Sequence, residues 1–276
     1  MKKLYDKNPV ATGIVSALLI TAIFYVVEWI LWKYTSLTNG VRWIYIDFII
    51  RMLMGCLGLY VLKVFYQNEL KNVFTGKISK QAWLCLVPMG IIFVLYILKL
   101  FCAENLKIEN TVPFLIAWLT QIGTGFYEEI VSRGVLMSGL LSKYKDSVKG
   151  RIFIVTFTGF IFGFSHFMNV IYGNNFIDCI WWGLETFIWG MFMAAIYMMT
   201  SNLWLVIGIH TIWDIVIRIP RYYMGNVVNE RFEEILSIII DVIGNGVLPI
   251  IAIGVCFCCF KNDCARLTGT KTSQEV

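Results

Sequence analysis

Eight long apolar runs, separated by short segments that carry most of the charge, dominate this sequence of 276 residues. A transmembrane helix needs about 20 mostly apolar residues, and in hydrocarbon the backbone must satisfy its own hydrogen bonds, as a helix does. The runs are approximately Val10–Leu31, Val41–Phe65, Ala82–Leu98, Val112–Leu141, Ile152–Ile171, Phe176–Met199, Leu203–Ile217 and Ile235–Phe260. They predict an all-α fold, a polytopic membrane protein with a bundle of about eight transmembrane helices in one domain over residues 1–276.

The composition excludes the main soluble classes. The chain is 58% hydrophobic and 15% charged, whereas soluble domains are about 45–50% apolar and about 25% charged. The first run is too long for a signal peptide and lacks a small-residue cleavage site, so it is interpreted as an uncleaved span. Residues 265–276 form a polar tail that is predicted to be disordered.

The basic residues predict the orientation of the helices. Formal net charge is +5, and most Lys and Arg lie between the apolar runs, which favours contact with lipid headgroups over nucleic acid. With the N-terminus in the cytoplasm, the inside segments hold thirteen basic residues and the outside segments hold seven. This bias predicts a multi-pass protein with both termini in the cytoplasm.

Several ionisable residues lie inside the apolar runs, where a charge costs about 2.5–3.5 kcal/mol on insertion scales. Asp47 and Arg51 are four residues apart, and this spacing predicts a structural ion pair within one helix. Glu28 lies near the end of its run and is expected to reach the membrane interface. Glu185 has no local cation, so it is either protonated and hydrogen-bonded inside the bundle or part of a substrate cavity.

Two adjacent carboxylates, Glu128 and Glu129, interrupt the fourth run. Glu129 lies four residues before Arg133, the favourable orientation for an ion pair on one helix face, and is therefore interpreted as structural. Glu128 points about 100° away from Glu129 and cannot share that arginine equally well. Its carboxylate is left to face another part of the bundle.

The two histidines of the chain both lie within apolar runs. His210 and Asp214 are four residues apart, so both side chains can point into one cavity. His166 follows Ser165 directly, but neighbouring residues on a helix do not face each other, so a Ser–His nucleophile pair is not expected. No Gly-x-Ser-x-Gly, phosphate loop or His-Glu-x-x-His motif competes with these residues.

Three motifs in this order resemble those of the CPBP family of membrane proteins, also called Abi. The motifs are Glu128-Glu129-x-x-x-Arg133, Phe162-x-x-x-His166 and His210-x-x-x-Asp214. The family includes type II CAAX prenyl endopeptidases and bacteriocin-processing proteins, and the resemblance covers about residues 112–219. The chain departs from the pattern at Ser132, where an aromatic residue is common, and at Asp214, where Asn is common.

The resemblance implies an intramembrane endopeptidase in the plasma membrane of a bacterium. Its substrate would be a peptide or protein at the membrane, either prenylated or carrying a leader peptide. By motif position, Glu128 and His166 would activate a water, while His210 and Asp214 would bind the developing oxyanion or position the water. Glu129 and Arg133 would hold the site together. An ionised Asp214 would instead orient His210 as a hydrogen-bond donor, which is the interpretation preferred here.

Three alternatives stay open at this stage. Glu128, His166, His210 and Asp214 offer ligands for a zinc ion, although the metal-free reaction, which needs no cofactor, is favoured. A transporter or bacteriocin-immunity protein without peptidase activity would also use buried ionisable residues, but the inverted repeats typical of many transporters are not evident. The cysteines near the end of the last run are interpreted as small buried hydrophobes, with acylation or metal binding as the alternative: Cys256, Cys258, Cys259 and Cys264.

Overall fold

A computed structural model of the chain describes residues 8–34, 41–67, 73–74 and 76–258. These residues are almost entirely helical. The α-helices are α1 (Pro9–Tyr34), α2 (Val41–Phe65), α3 (Lys80–Leu98), α4 (Thr111–Glu129), α5 (Met137–Tyr144), α6 (Val148–Phe167), α7 (Phe176–Thr200), α8 (Leu203–Val216), α9 (Ile219–Tyr223), α10 (Glu230–Asp241) and α11 (Leu248–Cys258). Two π-helical segments, Ile130–Leu136 and Val242–Val247, join α4 to α5 and α10 to α11.

The predicted membrane bundle is confirmed. Within the described ranges, seven helical segments are long and apolar enough to cross a membrane. The continuous passage from α4 through α5 has a comparable length and supplies the eighth. Some helices begin earlier than the apolar runs because a polar side chain caps them: Ser79 accepts a hydrogen bond from the amide of Ala82 at the start of α3.

The passage from α4 to α5 is the centre of the bundle. Its residues 129–141 are all buried except Ser132, which is half-buried. Helices α1, α2, α6 and α8 all contact this passage. The π-helical segment begins directly after Glu129, and such segments often occur at functional sites.

Glycines bring α6 and α7 together. A Cβ atom on Gly159 would lie 2.8 Å from the carbonyl oxygen of Phe187, and one on Gly190 would lie 3.0 Å from the Cα of Gly159. Gly163 lies one turn after Gly159 and also faces α7. Small residues four apart allow two membrane helices to approach closely. This contact places Phe162, between the two glycines, against the centre of the bundle.

Two connections cross one end of the bundle next to each other. Single antiparallel bridges pair Ala103 with Val227 and Leu106 with Met224. Lys99 binds Glu233 of α10 at 2.7 Å. The connection from α3 to α4 is thereby held against the connection from α8 to α10.

Several predicted features lie outside the described residues. They are the tail 265–276, Cys259 and Cys264, and the basic residues Lys2, Lys3, Lys7, Lys71, Lys261, Arg266 and Lys271. Of the cysteine cluster, Cys256 is buried, and its thiol donates to the carbonyl of Ala252 at 3.3 Å. This is the packing expected of a small buried hydrophobe.

The orientation prediction can be tested by labelling. Intact cells that carry single introduced cysteines, with the native ones replaced, should react with an impermeant maleimide at position 107. Positions 3, 145 and 271 should react only after permeabilisation, because the loop that contains Lys143 and Arg151 is among the most basic in the chain. Labelling of position 145 from outside would reverse the predicted orientation.

Candidate active site

A fully buried ion pair lies at the centre of the candidate site. Arg133 Nη1 is 3.0 Å from Glu129 Oε1, and neither side chain is exposed. Arg133 Nη2 donates to the carbonyl of Gly190 in α7 at 3.1 Å, and its guanidinium lies 4.7 Å from the centre of the Phe162 ring. The pair predicted from spacing is therefore present, and it also ties the central passage to α6 and α7.

The same carboxylate holds His210. Glu129 Oε1 lies 2.7 Å from His210 Nδ1, and both side chains are buried. Since an ionised carboxylate only accepts hydrogen bonds, Nδ1 carries a proton in this pair. Gly125 permits the contact between α4 and α8, because a Cβ there would lie 3.0 Å from the carbonyl oxygen of Ile207. Glu129 thus positions the imidazole in addition to neutralising Arg133.

Asp214 is placed differently from expectation. The sequence favoured Asp214 as the group that orients His210, but its Oδ2 is 3.9 Å from His210 Nε2, well beyond the 2.7 Å of the Glu129 contact. Asp214 Oδ1 instead lies 3.6 Å from Arg218 Nη1. The spacing within α8 did bring Asp214 and His210 to one face of that helix. The short hydrogen bond to the His210 ring, however, comes from Glu129 in α4.

Glu128 faces a small cavity, separate from the Glu129 pair. Its Oε1 lies 3.7 Å from Arg51 Nη1 in α2, and its Oε2 lies 3.8 Å from His210 Nε2. Oε2 is buried and has no hydrogen-bond partner among the described residues. The cavity that Glu128 lines measures about 30 Å³, and one water needs roughly 10–15 Å³ on this measure. The cavity therefore has room for a water molecule.

The cavity of Glu128 lies between α1, the central passage and α6. Its lining includes one departure from the family pattern, Ser132, together with Thr21, Phe24, Tyr25, Tyr127, Val131, Phe162 and Ser165. The small Ser132 side chain leaves space that an aromatic residue would fill.

His166 lies half-buried near the C-terminal end of α6. Its Nδ1 is 3.0 Å from the carbonyl oxygen of Phe162, and since a carbonyl only accepts, Nδ1 carries the proton and Nε2 is left as an acceptor. The Phe162 ring centre is 4.9 Å from the His166 ring and 5.9 Å from the His210 ring. The two imidazoles therefore pack around one aromatic side chain, but no direct bond joins His166 to Glu128 in the described part of the chain.

Ser165 does not form a nucleophile pair with His166. Its hydroxyl donates to the Phe162 carbonyl at 2.6 Å, whereas the contact with His166 Nδ1 is 3.4 Å. The hydroxyl therefore donates to a backbone carbonyl and is not activated by the imidazole.

Residues of α1 and α2 join the site, and sequence reasoning missed this. The predicted pair is present, with Arg51 Nε 2.8 Å from Asp47 Oδ1, but Arg51 also reaches Glu128. The expectation that Glu28 extends to the membrane interface is wrong: it is 8% exposed, lies 3.6 Å from Arg51, and accepts a hydrogen bond from Tyr172. The only sequence signal was the presence of Glu28, Asp47 and Arg51 well inside two apolar runs.

Metal-ligand geometry is not present in the described residues: no group of three or more His, Cys, Asp or Glu side chains is arranged to hold an ion. His166 and His210 each have Nδ1 bonded to an oxygen acceptor, the Phe162 carbonyl and Glu129, which leaves Nε2 of each ring as the nitrogen that could bind a metal ion. The Arg51 cation beside Glu128 opposes a second positive charge at that carboxylate.

Glu185 lies in a second cavity, away from Glu128. It lines a space of about 110 Å³ with Asp241 and Asn245. Trp189 and Trp213 also line this space, stacked with ring centres 4.3 Å apart, and Trp189 lies 6.2 Å from the His210 ring. The indole pair therefore separates Glu185 from the cavity of Glu128.

Comparison with known proteins identifies the domain that contains the site. A family model described as "Type II CAAX prenyl endopeptidase Rce1-like" matches residues 110–216, close to the expected range of 112–219. No curated protein and no solved structure matches the chain. The matched range includes all of the motif residues, Glu128, Glu129, Arg133, Phe162, His166, His210 and Asp214. Residues 110–216 of this membrane protein are therefore similar to the Rce1-like type II CAAX prenyl endopeptidase family.

Proposed function

We propose that this protein is an intramembrane endopeptidase in which Glu128 activates a water without a metal ion. One observation carries the proposal: Glu128 lines a cavity of water size, its Oε2 has no hydrogen-bond partner among the described residues, and that oxygen lies 3.8 Å from His210, which Glu129 holds. Peptide hydrolysis needs a base for water, a donor for the oxyanion and a proton for the leaving amine. Glu128, His166 and His210 can supply all three.

In the proposed reaction, Glu128 Oε2 takes a proton from water as the water oxygen attacks the carbonyl carbon of the peptide bond. His166 Nε2 accepts the second hydrogen bond of that water. The carbonyl π electrons move to the oxygen. His210 acts as the imidazolium, with Nδ1 donating to Glu129, and donates a hydrogen bond from Nε2 to the oxyanion. As the C–N bond breaks, Glu128 returns its proton to the leaving nitrogen, which departs as an amine. Asp214, whose Oδ2 lies 3.9 Å from the same nitrogen, stabilises the charge of the imidazolium.

A large apolar groove beside the cavity supports a membrane-associated substrate. The groove measures about 550 Å³ and runs between α1 and α6, lined by side chains that include Leu18, Ala22 and Phe164. Thr21, Tyr25 and Ser165 line both the groove and the cavity of Glu128. The Tyr25 hydroxyl donates to the Ser165 carbonyl at this junction. A prenyl chain or an apolar peptide segment in the groove would place the adjoining peptide bond near Glu128.

The function can be tested with purified protein in liposomes. Farnesylated C-terminal peptides and leader peptides should be offered in parallel, with cleavage sites read by mass spectrometry. Cleavage by the wild type and its loss in Glu128→Gln would support the endopeptidase. Cleavage that persists in Glu128→Gln would show a contaminating or different activity, and uptake without cleavage in the same liposomes would favour a transporter.

The groove makes a separate prediction. Ala22→Trp fills it and removes the packing contacts of a bound lipid chain, which should raise KM for a lipid-modified peptide about tenfold. Leu19→Trp is the matched control, because Leu19 lies on the same helix, is 57% exposed and does not line the groove. Its KM should stay within about twofold. Equal effects of the two variants, or an equal effect on the peptide without its chain, would contradict the assignment.

A further inference from the structure

We propose that Arg51, in α2 and outside the matched residues 110–216, is a positioning residue for Glu128. It would hold Oε1 of the carboxylate so that Oε2 stays turned toward His210. This inference rests on the proposed function of Glu128 as the base. It assigns a part of the mechanism to α2, which the family motifs do not reach.

The Arg51 guanidinium is fixed on three sides. Its Nε lies 2.8 Å from Asp47 Oδ1 and its Nη2 lies 3.6 Å from Glu28 Oε1, so two carboxylates set its orientation. The guanidinium carbon lies 4.8 Å from the centre of the Phe24 ring. Planar guanidinium groups can bind several carboxylates at once in a fixed geometry. The third nitrogen, Nη1, is the one left to face Glu128.

Arg51 makes the two oxygens of Glu128 different. Oε1 lies 3.7 Å from Arg51 Nη1, while Oε2 lies 3.8 Å from His210 Nε2 and has no hydrogen-bond partner in the described structure. The Glu128 carboxylate therefore lies between the Arg51 guanidinium of α2 and the His210 imidazole of α8. Without the cation, Glu128 could turn about its side-chain torsions, because the central passage offers it no second cation: Arg133 is bonded to Glu129 and Gly190.

Purely structural packing of α1 against α2 does not explain this geometry. Asp47 and Glu28 would already neutralise Arg51, and a guanidinium placed only for that purpose need not approach the one carboxylate that faces the cavity. Three carboxylates surround a single guanidinium here. The arrangement stabilises the position of Glu128. It also leaves the group formed by Arg51 and its three carboxylates with more negative than positive charge.

The test compares Arg51→Lys and Arg51→Met with Arg42→Gln, a matched control, since Arg42 is an exposed arginine of the same helix. An ammonium cannot bind three carboxylates in the same planar arrangement, and a displacement of the base by about 1 Å can lower a rate by about 10²-fold. Arg51→Lys should therefore fold, keep KM within about threefold and lose about 10- to 100-fold in kcat. Arg42→Gln should cleave at the wild-type rate.

A second measurement needs no activity. The melting temperatures of Arg51→Met, Glu128→Gln and the double variant form a cycle, and residues that contact each other give non-additive shifts. The double variant should lose less than the sum of the single shifts. A folded Arg51→Lys with wild-type kcat, or additive melting shifts, would overturn the inference while leaving the Glu128 mechanism intact. A wild type that cleaves nothing would refute the mechanism, and the cycle would still test the contact.

Discussion

A Glu128→Gln variant is expected to fold like the wild type and to cleave about 10²–10⁴ times more slowly, the usual contribution of a general base. Glutamine keeps the volume of glutamate, but its amide nitrogen cannot accept a proton from water. The side chain is 16% exposed and lies at the edge of the cavity, outside the fully buried pair. Replacing it with glutamine therefore removes the general base and leaves the packing of the helix bundle intact. The rate should be measured as kcat on the reconstituted protein.

The same preparation tests the role of metal. Dialysis against a strong chelator should leave cleavage by the wild type unchanged, and elemental analysis should find far less than one zinc per chain. Loss of a stoichiometric metal in Glu128→Gln would replace the metal-free reaction with a zinc-dependent one. A Glu128→Gln variant that retains the wild-type kcat would show that Glu128 is not the base in either mechanism.

Glu129→Gln and Arg133→Leu should both lose stability as well as activity. Each leaves a buried charge without its partner, which costs about 3–5 kcal/mol in soluble proteins. At about 2–4 °C per kcal/mol, the melting temperature should fall by roughly 6–20 °C. Protein yield from the membrane should fall with it. Glu128→Gln, measured alongside, should show only a small shift because its carboxylate is not part of this pair.

The double variant Glu129→Gln, Arg133→Leu separates the two roles of Glu129. It removes both charges, so part of the lost stability should return. Activity should not return, because Glu129 Oε1 also accepts from His210 Nδ1 at 2.7 Å, and the glutamine cannot replace that charged acceptor. Recovery of cleavage in the double variant would contradict the assigned role of Glu129 toward His210. Additive loss of stability would contradict the ion pair.

Contacts within one helix were predictable from the sequence. An α-helix has 3.6 residues per turn, so residues four apart share a face wherever the helix lies. The Glu129–Arg133 and Asp47–Arg51 pairs were expected on that ground, and both are present. The same geometry separated Glu128 from Glu129 and argued against a Ser165–His166 pair.

Contacts between helices were not predictable in this way. The rotation and depth of a helix relative to its neighbours depend on packing, and a periodic pattern says nothing about either. Gly125 lets α8 approach α4 closely. Because of this approach, the short hydrogen bond to His210 comes from Glu129 and not from Asp214. Glu28 appeared to be interfacial because only its distance from the end of the run was known, yet Arg51 and Tyr172 hold it inside the bundle.

The sequence by itself determined that the chain is a bundle of membrane helices and which residues could carry chemistry, because apolar length and charges in hydrocarbon are local properties. The tertiary structure alone decided how those residues combine. It placed Arg51 of α2 beside Glu128, His210 of α8 on Glu129, and both histidines around Phe162. The physical reason is that a buried charge takes the nearest available partner in space, and close packing of helices through small residues decides which partner that is.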